Sequence, residues 1–95
     1  MYNGTIEKNG HTIHEYEYVR VELSNGYDVP RHPDRLDGEG SQIDIGVEIK
    51  AAFPGVKFCC HGHDTVFKVW FPEGQLTAEE ESTLDQIVAN HKANL

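Results

Sequence analysis

Two Asn-Gly dipeptides, Asn9-Gly10 and Asn25-Gly26, bracket an alternating run in the first third of the chain. Asn-Gly supplies the positive φ angles that two-residue hairpin turns need, so the segment is expected to fold as an antiparallel meander. Within it Val19, Val21 and Leu23 alternate with Tyr18, Arg20 and Glu22. One of these two faces is expected to go to the core. Upstream, Thr12, His14 and Tyr16 oppose Ile13, Glu15 and Glu17, which is polar on both faces and predicts an arm extending beyond the core.

Three further elements are legible. Gln42 to Phe53 alternates through Ile43, Ile45, Val47 and Ile49, yet Ile45, Ile49, Ala52 and Phe53 also share a helical face. Helix is the preferred assignment, with Ser41 and Asp44 as a capping pair and Pro54-Gly55 as the stop. Val56 to Cys60 and Thr65 to Phe71 predict a hairpin that pairs Phe58 with Phe67 and Val56 with Val69, with Gly62 and His63 as its loop. That register sets Lys57 opposite Lys68, so their face should be solvated or meet an acidic group. Thr77 and Glu80 form a capping box ahead of Leu84, Ile87, Val88 and His91, predicting a helix from about Ala78 to His91. The fold class that follows is α+β: a small antiparallel sheet, made of the N-terminal meander and the central hairpin, packed against two helices.

At 95 residues the chain has room for one core, so a single domain is expected. Between Asp28 and Gly40, Pro30, Pro33, Gly38 and Gly40 interrupt any regular element and predict a loop of about a dozen residues, a length that commonly serves contact or function. Sixteen acidic against eight basic residues give a net charge of −8, and the basic residues stand singly. Such a field repels phosphate backbones and anionic lipid, which argues against nucleic acid and membrane partners. The charge also suits a module that sequesters a basic protein. No leader and no membrane-spanning run is present, so synthesis in the cytoplasm is expected.

The densest group of metal-ligand types is Cys59-Cys60-His61-Gly62-His63. Thiolate and imidazole suit zinc or copper, and a strand continuing to residue 63 would bring Cys59, His61 and His63 to one side. The expected turn at Gly62-His63 opposes that arrangement, and adjacent cysteines do not form an ordinary disulfide. The alternative to a metal site is a buried Cys60, an edge-facing Cys59 and two turn histidines. Asp34, Asp37, Glu39 and Asp44 crowd a glycine-containing loop but lack the spacing of a helix-loop-helix calcium site. No nucleophile elbow or glycine-rich phosphate loop is present, and neither an enzyme nor a cofactor is expected. Tyr16, Tyr18, Arg20, Arg31 and Arg35 are the candidate partner-interface residues, because Tyr and Arg are favoured at such surfaces.

The C-terminal segment Leu76 to His91, with its threonine cap, acidic Glu79-Glu80-Glu81 and the run Leu84-Asp85-Gln86-Ile87-Val88-Ala89-Asn90-His91, resembles the endings of small virion proteins of tailed bacteriophages. The resemblance implies a non-enzymatic structural subunit of a head, neck, tail or baseplate, located in the virion after synthesis in the host cytoplasm. Its partners would be other virion proteins, met as a homo-oligomer or multi-copy assembly. A small metal-binding or redox-responsive protein using residues 59–63 is the alternative.

Overall fold

A computed structural model of the chain describes residues 1–19, 21–22, 28–29, 35–36, 42–43, 45–63 and 66–93. The elements are β1 (Tyr2–Lys8), β2 (His11–Val19), β3 (Val21–Glu22), β4 (Asp28–Val29), β5 (Arg35–Leu36), β6 (Gln42–Ile43), α1 (Ile45–Ala52), β7 (Cys59–His63), β8 (Val66–Phe71) and α2 (Ala78–Ala93). Four strands form an antiparallel sheet in the order β1-β2-β8-β7. The short strands form two separate ladders, β3 with β4 and β5 with β6. The fold is α+β, as the sequence pattern predicts.

The first hairpin turns where expected. Asn9 and Gly10 have φ of 52° and 79°, and Lys8 pairs with His11 across them. Two consecutive positive φ angles match the right-handed twist of the flanking strands. The Asn25-Gly26 turn lies outside the described residues, although β3 and β4 pair on either side of it. A second irregularity is in β1, where the register shifts between Tyr2 and Thr5 and Gly4 takes a φ of 92°. The extra residue is a bulge, which glycine tolerates because it has no Cβ.

One face of the sheet carries the core. Tyr16, Phe67, Val69 and Phe71 pack against Ile45, Ile49 and Phe53 of the α1 region and against Leu76, Leu84 and Val88 of the α2 region. Tyr16 meets Phe71 edge to face at 5.5 Å between ring centroids. The core face of β2 is therefore the tyrosine one: Tyr16 is 1% exposed while Val19 is 67% exposed. The reason is that β2 pairs with β8 so that Tyr16 and Tyr18 stand beside Val69 and Phe67, whose side is closed by the helices. The polar arm also fails to project as a whole. Ile13, Glu15 and Tyr16 are all buried, while the turn end from Glu7 to Thr12 is exposed.

Both helices form, with adjusted limits. Gln42 and Ile43 belong to β6, and α1 begins at Ile45, buries Ile45, Ile49 and Phe53, and leaves Val47 and Ala52 exposed. The chain leaves α1 through bonds from Phe53 N–H to the Ile49 carbonyl and from Val56 N–H to the Phe53 carbonyl. The Ser41 and Asp44 cap lies outside the described residues. In α2 the capping box is formed in both directions, with Thr77 N–H donating to Glu80 Oε1 at 2.9 Å and Glu80 N–H to Thr77 Oγ1 at 3.2 Å.

The central hairpin is real but slides by four residues. Cys60 pairs with Val69, Gly62 with Phe67 and His63 with Val66, so Gly62 and His63 are strand residues and not the loop. An even slide keeps every residue on its face. Val56 and Phe58 instead pack on the core from an irregular segment ahead of β7, and small Cys60 and Gly62 take the places beside Val69 and Phe67. Lys57 therefore does not oppose Lys68. The loop expected over residues 28–40 is mostly outside the described residues, with β4 and β5 inside it.

Two substitutions measure the two kinds of support. Leu84→Ala, at a fully buried position, is expected to lower unfolding stability by about 2–5 kcal/mol in urea denaturation. Thr77→Ala is expected to cost about 1 kcal/mol through loss of the cap alone.

Candidate functional site

The strand register places the polar groups in two sets. On the helix-covered face, Tyr16 donates its hydroxyl to Glu81 Oε2 at 2.6 Å and accepts the buried Leu76 N–H at 3.1 Å. Tyr18 donates to Asp85 Oδ1 at 2.7 Å. Tyr16 and Tyr18 are two apart on a strand and Glu81 and Asp85 four apart on a helix, so both pairs meet along one line. Burial pushes both phenols well above their ordinary pKa, and the bond to a carboxylate adds to it. They are neutral donors throughout the ordinary pH range. The α-amino group of Met1 extends the same border, donating to the Glu17 carbonyl at 2.8 Å.

On the opposite face the centre is Glu15, a carboxylate only 4% exposed. Asn3 Nδ2 donates to its Oε1 at 2.8 Å, Trp70 Nε1 donates to its Oε2 at 2.8 Å, and the Lys68 ammonium lies 3.6 Å from Oε2. Lys68 is also 3.8 Å from Glu17, so this lysine does meet acidic groups. Trp70 is directly across from Glu15 in the β2–β8 ladder, and Lys8 lies over its ring at 4.7 Å from the centroid. Desolvation pushes the Glu15 pKa up, but the bonds from Asn3 and Trp70 and the charge of Lys68 outweigh it and hold the carboxyl below its ordinary value.

Glu15 was not legible as buried, because an isolated glutamate in an alternating strand reads as solvent-facing. The signal lay in the pairing: once β2 and β8 are neighbours, Glu15 and Glu17 fall opposite Trp70 and Lys68. A cross-strand set of this kind supplies donors to both oxygens of the carboxylate from within the fold. Chemically it anchors charge across three strands.

Tyr16 and Tyr18, expected at a partner interface, are committed internally, and Tyr16 has no surface to offer. Arg20 and Arg31 lie outside the described residues, and Arg35 is placed by its backbone in β5. Cys59 is exposed and Cys60 is packed against the core, and neither is in a disulfide. The backbone runs as strand through His63, so residues 59, 61 and 63 are alternate positions of β7 on the Trp70 and Lys68 side of the sheet. Among the described residues there is no group of three His, Cys, Asp or Glu side chains placed to hold a metal ion. No helix among them is long and apolar enough to cross a membrane.

Compared with protein-family models, curated proteins and solved structures, the chain matches none.

Because the folded-state pKa of Glu15 is lowered, its contribution to stability is present above its ordinary value of 4.5 and is lost as pH falls through the lower folded value. Glu15→Gln should cost about 1–3 kcal/mol at neutral pH, since a buried network loses a charged acceptor. In urea titrations the gap between the two proteins should close as the pH is lowered below that value.

Proposed function

We propose that this chain is a non-enzymatic structural subunit working by protein–protein contact, a part of a phage particle's head, neck, tail or baseplate present in many copies. The observation that carries the contact role is the one-sided construction of the domain. Both helices lie on one face of the sheet, and no described helix packs on the other. That other face sets Ile6, Trp70 and Val19 beside Lys8, Glu17 and Lys68, with Ile13 and Glu15 buried among them. Apolar and charged groups in this proportion suit a docking surface, and the internal bonds of Glu15 and Lys68 keep the charges in fixed places. The virion assignment is supported by the resemblance of residues 76–91 to the endings of small phage virion proteins.

The partners on this proposal are other virion proteins and further copies of the chain. Purified particles should contain the protein in many copies by quantitative mass spectrometry, and the isolated protein should bind another particle protein. A monodisperse monomer that is absent from particles and binds none of their proteins contradicts the proposal.

A second function, metal binding or redox response through Cys59, His61 and His63, is favoured by one specific observation: the strand backbone continues through His63. Alternate positions on a strand lie on one side of it, the arrangement that a turn at residues 62–63 would have prevented. Zinc should then raise the melting temperature of the wild-type protein and not that of Cys59→Ser. If zinc leaves the wild-type melting temperature unchanged, this function is excluded.

A further inference from the structure

We draw no further inference here: the strongest candidate, the small, mostly apolar cavity that Ile13, Lys57, Phe58, Cys59, Trp70 and Pro72 line at the sheet face opposite the helices, shares Ile13 and Trp70 with the docking face already described, and nothing in the structure shows what fills it.

Discussion

The fold depends on how Tyr16 is buried. A phenol enclosed at 1% exposure must have its oxygen satisfied inside the protein. It does so by donating to Glu81 and accepting from the Leu76 N–H, which lies just ahead of the α2 cap. One hydroxyl thus joins the middle of the sheet to the start of the C-terminal helix. The Thr77 and Glu80 box then fixes the helix start, and Leu84 and Val88 fall onto the sheet beneath it. Tyr18 and Asp85 repeat the link one turn on. The ring of Tyr16 also reaches Phe71, so the same residue serves polar and apolar contacts.

The opposite face is governed by the same requirement, met with charge. Glu15 is held by Asn3, Trp70 and Lys68, and Lys8 covers the indole. Each contact crosses a strand boundary, so the set ties β1, β2 and β8 together. A satisfied buried network of this kind rigidifies the sheet while leaving its surface mixed in character. The rigid surface is what the proposed contacts use.

Much of this was legible in the sequence where local chemistry decides the outcome. The Asn9-Gly10 turn and the Thr77 and Glu80 cap formed as read, because each is set by a few adjacent residues. The α1 helix was legible from Ile45, Ile49 and Phe53, but not its start, since Gln42 and Ile43 pair with Arg35 and Leu36 instead. The misreadings share one cause. The buried face of β2, the slide of the β7 hairpin and the burial of Glu15 all depend on which strand lies beside which, and period-two patterns are the same for either choice. Of the candidate site, the absence of a disulfide between Cys59 and Cys60 and the packing of Cys60 were legible, while the internal use of Tyr16 and Tyr18 was hidden behind their ordinary preference for interfaces.

The central claim is that the tyrosine hydroxyls bind the two layers into one unit. A double-mutant cycle on stability, combining Tyr16→Phe with Glu81→Gln, measures that link directly. The account predicts a coupling of about 1 kcal/mol or more between them. Losses that simply add, with no coupling, would show that the helix is held by apolar packing alone and contradict it.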